Sequence, residues 1–359
     1  MTIDDVFTKL KQHPFTMIGL ADREKFHTGM LSFVINELID GKKRALLTEL
    51  WGSDAVNQCG FDESNEPNSI ESFVEQNSVD LVIKQGTVKF WAEMKFKTTL
   101  SEHQLLNYQE KNPHAVGVLL ALFTGVEKLP DGITEKPFPQ IIVSFFNKNP
   151  IDGPIWKTRS SDEVGLVRLW HQYLGYISHL TREFTDFGTK EVRHKAVWVA
   201  GLKAIKLQGI FQHYRFSKFR EMVAAKPING GFPNIEVNQF NSNGNAGIDY
   251  YFEMAPDSEP GRTGLQWQSR SLKLFAIGES KNDITRDQRL QKLREGFPTI
   301  PLALGGSDKK STRDGKFKSY TVANWDIMDA LTDDQVNALL KGLAHLQKEH
   351  EDRKLVSPA

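Results

Sequence analysis

The chain has 359 residues, 39% of them hydrophobic and 25% charged, with a mean hydropathy of -0.42. That composition excludes wholesale disorder and permits a sizeable core, and because single cores stop growing near ~250–300 residues, two domains are expected. Lysine plus arginine and aspartate plus glutamate both total 45, so net charge gives no sign of a polyanionic partner, and any nucleic-acid surface must be local.

No segment is apolar for long enough to cross a bilayer, and Met1 to Pro14 lacks the unbroken apolar stretch of a signal peptide. The single cysteine, Cys59, has no partner for an internal disulfide or a zinc cluster, so a reducing cytoplasm is expected.

In chain order, Phe26, Met30, Phe33, Val34 and Leu38 recur at helical spacing and predict a buried helix over residues 23–39, carrying Glu24, His27 and Glu37. A polar stretch through residues 62–68 follows. Short apolar runs at residues 70–74, 79–83 and 88–96 read as strands, with Gln85-Gly86 turning the last two into a hairpin. Residues 101–111 read as a helix with Ser101 as N-cap, ending before Pro113. Continuous apolar runs at 116–123 and 139–146 predict strands buried on both faces.

The order α-β-β-β-α-β-β fills a domain at residues 1–150. A helical linker is expected at 151–188, and a second α/β domain at 189–359. In that second half a helix is expected at 216–225, strands at 234–240, 248–254 and 272–280, a helix at 286–295, strands at 300–304 and 320–324, and a closing helix at 332–348. This order repeats the first, which points to duplication.

The chemistry concentrates on the hairpin. Side chains two apart on a strand share a face, so Glu93 and Lys95 project together, and Asp80 on the paired strand can meet them. Two converging carboxylates make a hard oxygen site suited to Mg²⁺ (or Mn²⁺), to which the Met94 backbone carbonyl can add a ligand. Such a cation can neutralise a phosphodiester and activate a water. Lys95 would then orient or deprotonate that water, or stabilise the developing charge. The alternative is an ordinary acid–lysine surface pair. Against it, Val88, Phe90, Trp91, Ala92, Met94 and Phe96 surround the pair, where charge is costly.

Asp80 after Val79, then Ala92-Glu93-Met94-Lys95, then Gln104-Leu105-Leu106-Asn107-Tyr108 resemble the PD-(D/E)XK nuclease superfamily over about residues 20–125. Glu24-Lys25-Phe26-His27-Thr28-Gly29-Met30-Leu31 looks like the Glu-x-x-His-Ser-x-x-Leu opening helix of one branch of it. The resemblance implies a restriction-endonuclease-like αβββαβ core and Mg²⁺-dependent endonuclease activity on DNA, with RNA left open, in restriction, phage (antiviral) defence or repair. It implies Asp80 and Glu93 as metal ligands, Lys95 as the catalytic lysine, Gln104 and Tyr108 as helix residues facing the site, Glu24 as an auxiliary acid, and His27 as a helper. Val79 stands where the family has proline and Thr28 where the branch has serine. The rival reading is a noncatalytic nucleic-acid-binding protein, or a subunit that acts as a homodimer or with a partner protein.

Asp249, Glu279, Lys281 and Gln288 follow one another in the second half as the first set does, with Lys292 in place of the tyrosine. They suggest a tandem core with a second metal site, a decayed copy kept as scaffold or DNA clamp, or chance. Lys203, Lys206, Arg215, Lys218 and Arg220, interleaved with Trp198, Phe211, Tyr214, Phe216 and Phe219, suit phosphate contacts with base stacking, or else a core with a solvated basic face. Lys309, Lys310, Arg313, Lys316 and Lys318 form another basic group, expected in a loop. The stretch from Gly305 to Thr312 lacks the first glycine of a P-loop, and the ten histidines show no helical metal-ligand pair.

Overall fold

The structure is a computed structural model and describes residues 1–58, 70–76, 79–96, 102–125, 129–157, 160–185, 195–225, 236–242, 245–253, 262–268, 271–278, 284–296, 310–313, 317–324, 337, 340–348 and 351. The polar stretch at 62–68, Cys59, Ser101 and the strand expected at 300–304 lie outside the described residues. Two compact units divide the chain, one of Met1–Phe187 with Ala196–Ile210, the other of Gly188–Lys195 with Phe211–Ala359, and each mixes helices with a sheet. Among the described residues no helix is long and apolar enough to cross a membrane.

The first unit opens with α1 (Ile3–Gln12), α2 (Pro14–Met17), α3 (Glu24–Glu37), α4 (Asp40–Trp51) and α5 (Ser53–Gln58). Strands β1 (Glu71–Gln76), β2 (Val79–Gln85) and β3 (Thr87–Lys95) follow, then α6 (Glu102–Lys111), β4 (Val116–Ala121), β5 (Thr134–Pro137), α7 (Phe138–Lys148), α8 (Ser161–Thr185) and α9 (Lys195–Ala204). The sheet order is β1-β2-β3-β4-β5. The first three strands are antiparallel and the last three parallel. Gly86, at φ 72°, makes the tight β2–β3 turn. Parallel pairing of β3 with β4 requires a crossover, and α6 supplies it.

Alternation along β3 sends Phe90 against Trp51 on one face, with ring centroids 5.0 Å apart, and Trp91 against Tyr108 of α6 on the other, 5.7 Å apart. Val82, Trp91, Leu105, Tyr108 and Ile133 form the cluster that seats α6 on the sheet. The Trp91 ring also lies across Gly117 of β4, where an added Cβ would come within 2.2 Å of it. On the edge strand, both backbone groups of Ser72 are taken by the Asn36 amide of α3, at 2.8 and 3.1 Å, which closes that edge to further pairing.

Two expectations change here. Residues 139–146 are not a strand but part of α7, whose buried Phe138, Ile142, Phe145 and Phe146 follow the helical period. A continuous apolar run fits either element, and packing against α8 decides for helix. The segment expected as a linker holds α8, which packs on α1, α3 and α7 with Val167, Trp170, Tyr173, Leu174 and Ile177 buried, so it is core of the first unit.

In the second unit most of α10 (Gln208–Ala225) precedes β6 (Glu236–Ser242), β7 (Asn245–Glu253), β8 (Arg262–Gln268), β9 (Ser271–Ile277), α11 (Ile284–Gly296), β10 (Lys310–Arg313) and β11 (Phe317–Asn324). Residues 340–348 are helical. The sheet order is β10-β11-β9-β8-β7-β6, with every pairing antiparallel. The described part of this sheet therefore does not repeat the first. Strand β8, which the sequence does not signal, stands between β7 and β9.

Gly117→Ala should destabilise the protein by roughly 1–3 kcal/mol in urea unfolding, as overpacking does. Gly165→Ala, whose Cβ would meet nothing within 4 Å in α8, should stabilise it by up to about 1 kcal/mol.

Candidate active site

The β2–β3 pairing sets Leu81 opposite Ala92, which puts Asp80 across from Glu93 on the same face. Asp80 Oδ2 accepts the Met94 N–H at 2.9 Å. Glu93 Oε1 accepts from Lys95 Nζ at 2.7 Å and from Gln104 Nε2 at 2.7 Å, and the same Gln104 amide donates to Tyr108 Oη at 2.6 Å. Glu24, at the start of α3, accepts the Phe96 N–H at 3.0 Å where β3 ends. Asp80, Glu93, Lys95, Gln104, Tyr108 and Glu24 thus converge from β2, β3, α6 and α3.

The site is dry. Glu93 is only 1% exposed, and its second oxygen, Oε2, has no hydrogen-bond partner among the described residues. Burial pushes the Glu93 carboxyl up to about 7; Lys95 opposes the rise, and the neighbouring Asp80 and Glu24 carboxylates add to it. Burial likewise raises Asp80, against the pull of the Met94 N–H and Lys95. Burial works against the Lys95 ammonium, but the Glu93 carboxylate beside it, with Glu24 and Asp80 behind, outweighs that cost and holds its pKa above the ordinary lysine value. Burial also raises the Tyr108 hydroxyl.

These residues fit a hard divalent cation. Unpartnered Glu93 Oε2 is a buried acceptor that lacks a donor, which is costly unless a proton or a cation fills the role. Lys95 O is taken by Leu122 N on the β4 side, so strand alternation turns the Met94 backbone toward Asp80. Among the described residues no group of three or more His, Cys, Asp and Glu side chains is placed to hold a metal. A cation such as Mg²⁺, held by one or two carboxylates and otherwise by water, needs no such group.

His27 has a different role from the one expected. It is fully buried, its Nε2 bonds to the Ala21 carbonyl at 2.9 Å, and its Nδ1 accepts from Trp170 at 3.1 Å. Its ring stacks on Phe96 at 4.1 Å. Both nitrogens are used, and burial pulls the imidazole down to about 4. It is a neutral strut between α3, the end of β3 and α8, not a proton carrier. Tyr173 Oη donates to the same Ala21 carbonyl at 3.0 Å. Nothing in the local pattern pointed to Trp170 or Tyr173 here, because each is remote in the chain from what it holds.

In the second unit Asp249 lies on β7, and burial pushes it up to about 6 against a hydrogen bond from Gln266. Its row across the sheet runs through Gln266 and Lys273, so β8 separates Asp249 from the strand that leads toward Glu279 and Lys281. Those two residues lie outside the described ones, and Gln288 is exposed on α11. The adjacent-strand geometry of Asp80 and Glu93 therefore has no counterpart at Asp249.

The basic stretch is not one surface of one body. Lys203 and Lys206 are exposed in the first unit, while Arg215, Lys218 and Arg220 belong to the second. Lys218 pairs with Glu221 at 2.9 Å. Trp198, Phe211, Tyr214, Phe216 and Phe219 are all buried, so these aromatics are core and not stacking platforms. Lys310, Arg313 and Lys318 lie on β10 and β11 rather than in a loop, and Lys309 and Lys316 are outside the described residues.

No family model matches the chain, and neither a curated protein nor a solved structure matches it at a significant level.

His27 carries a pH signature. Its folded pKa is depressed to about 4 from 6.5, so stability present above pH 6.5 is lost as pH falls through 4, by about 3 kcal/mol in full. His27→Gln keeps a donor and an acceptor but does not titrate, and urea unfolding at both ends of that window should show a smaller acid loss than wild type.

Proposed function

We propose that the first unit is a restriction-endonuclease-like core and that the protein is a divalent-metal-dependent nuclease hydrolysing phosphodiester bonds in DNA. The observation that carries this reading is the divided Glu93 carboxylate. Lys95 and Gln104 occupy one oxygen, the other is buried with no N–H or O–H donor among the described residues, and the Asp80 carboxylate interacts with Glu93. A purely structural ion pair would be expected to satisfy both oxygens at such burial.

Asp80, Glu93 and the Met94 carbonyl would hold the cation. When bound, Mg²⁺ or Mn²⁺ supplies charge neutralisation at the phosphate and a more acidic water. The chain's own residues do the rest. Gln104 fixes the rotamer of Glu93, and Tyr108 fixes Gln104. Lys95, held beside Glu93, would orient or deprotonate the attacking water or stabilise negative charge as it develops on the phosphate. Glu24 ties the α3 N-terminus to the end of β3 and so sets the width of the site. The family resemblance of the Glu-x-Lys strand and the Gln104/Tyr108 helix supports the same reading.

Purified protein incubated with linear, circular and single-stranded DNA, and with RNA, should cut DNA with Mg²⁺ or Mn²⁺ and not with chelator. Lys95→Ala and Glu93→Gln should each lower the rate by at least about 10²–10³-fold. Gln104→Ala should lower it by about tenfold or more, as loss of a supporting hydrogen bond does at a metal site. Wild-type inertness toward every substrate, or full activity in Lys95→Ala, overturns the reading.

A further inference from the structure

Met17 and Ile18 are 73% and 66% exposed, the most exposed large hydrophobic side chains among the described residues. Scattered apolar residues on a surface need no explanation, but these two are adjacent and sit on a turn that is tightly bonded. Ile18 N bonds to Pro14 O at 3.0 Å, Gly19 N to Thr16 O at 3.1 Å, and Leu20 N and Ala21 N both to Phe15 O at 2.9 and 3.0 Å. Gly19 takes φ 74°, which lets the chain reverse directly behind the pair. Behind the turn, Phe15 packs edge-on to Phe26 at 4.7 Å, and Ala21 O is held by His27 and Tyr173. The pair is presented on a fixed mount.

The mount adjoins the candidate active site. Arg23 Nε bonds back to Gly19 O at 3.4 Å, and the next residue, Glu24, holds the Phe96 N–H. Lys25 pairs with Glu75, which raises its pKa, and the Asp80 charge adds to the rise. Five residues lie between Ile18 and Glu24, so even a fully extended segment of about six steps would keep them within roughly 20 Å. That is about six base steps at ~3.4 Å each. Between residues 11 and 25 the exposed charged side chains are Lys11, Arg23 and Lys25, whereas Asp22 is buried and Glu24 is turned to the Phe96 N–H. Lys25 is ion-paired with the exposed Glu75, which leaves Lys11 and Arg23 as the cations of the rim.

An apolar tip with a cationic rim beside a phosphodiester-cutting site fits one occupant best. We propose that Met17 and Ile18 form a wedge that enters a base step of duplex DNA and unstacks it within about six base steps of the phosphate to be cut, while Lys11 and Arg23 hold the flanking phosphates. Apolar residues used this way kink the duplex and bring more of the backbone onto the protein. The inference rests on the nuclease reading above.

The test uses the full chain with a duplex carrying 2-aminopurine, in a Lys95→Ala background so that the DNA stays whole, and compares Met17 and Ile18 with the double variant Met17→Ser, Ile18→Ser. Both positions are exposed, and unchanged thermal melting will show that the variant folds. The proposal expects a severalfold fluorescence rise on binding by the parent that is absent in the double variant, and duplex affinity weaker by on the order of tenfold. Binding by the Lys95→Ala parent without any fluorescence rise while the wild type cuts, or a double variant that unstacks as well as the parent, overturns the wedge and leaves the nuclease reading standing. A wild type that neither binds nor cuts any nucleic acid overturns both. The wedge also falls if the double substitution leaves duplex affinity unchanged while abolishing co-sedimentation with phosphatidylserine vesicles, or while changing the oligomeric mass, since the tip then meets a membrane or a protein.

Discussion

A carboxylate taken out of water must be compensated at once, and Glu93 is compensated on one side only. Lys95 and Gln104 both address Oε1, so the remaining buried oxygen lacks a donor, a role that a proton or a cation can fill. Much of the first unit can be understood as the means of holding that imbalance. Strand β3 fixes Glu93 and Lys95 on one face, β2 brings Asp80 alongside, and the β3–β4 crossover obliges α6 to lie over them with Gln104 and Tyr108 directed inward. Trp91 makes the hold firm: it packs against Tyr108 on one side and across Gly117 on the other, so α6 cannot settle lower or slide.

The opposite border of the site depends on a second constraint. The helix that carries Glu24 is anchored through His27, whose two nitrogens are committed to Ala21 and Trp170 and whose ring packs against Phe96 and Tyr173. A histidine in this state contributes geometry and not protons. It links α3 to α8, so a helix late in the chain helps to determine where an acid near the start meets the end of β3. The same anchor stiffens the Met17–Ile18 turn, which makes one packing cluster responsible both for a site residue and for the shape of the surface next to it.

The second unit follows different rules. Its sheet is antiparallel throughout, the Trp267 ring is packed edge-on by Phe216 and Phe219 of α10, and Asp249 sits in a polar row with Gln266 and Lys273. The aromatic residues between the basic positions serve this interior and that of the first unit. A basic and aromatic run in sequence is thus divided, with the rings turned inward and the charges left on separate bodies.

The hairpin, the Glu93–Lys95 face, the helix bearing Gln104 and Tyr108, and the helix bearing Glu24 were all legible in the sequence. Each rests on local periodicity, on a turn residue such as Gly86, or on a spacing that one element fixes by itself. The apolar run at residues 139–146 was misread because its composition suits a buried strand and a buried helix equally, and only its packing on α8 distinguishes them. The repeat of α and β order in the second half was misleading for a similar reason: order along the chain does not specify which strands become neighbours, and the insertion of β8 parts the strands that a second centre would have needed together. The sequence by itself determined which residues share a strand face or a helix face, because those relations are set by backbone geometry within a few residues. The tertiary structure alone decided that His27 is a strut, that Glu93 keeps one oxygen without a donor, and that Met17 and Ile18 stand in solvent, because burial and partnership depend on contacts between segments as far apart as His27 and Trp170, 143 residues along the chain.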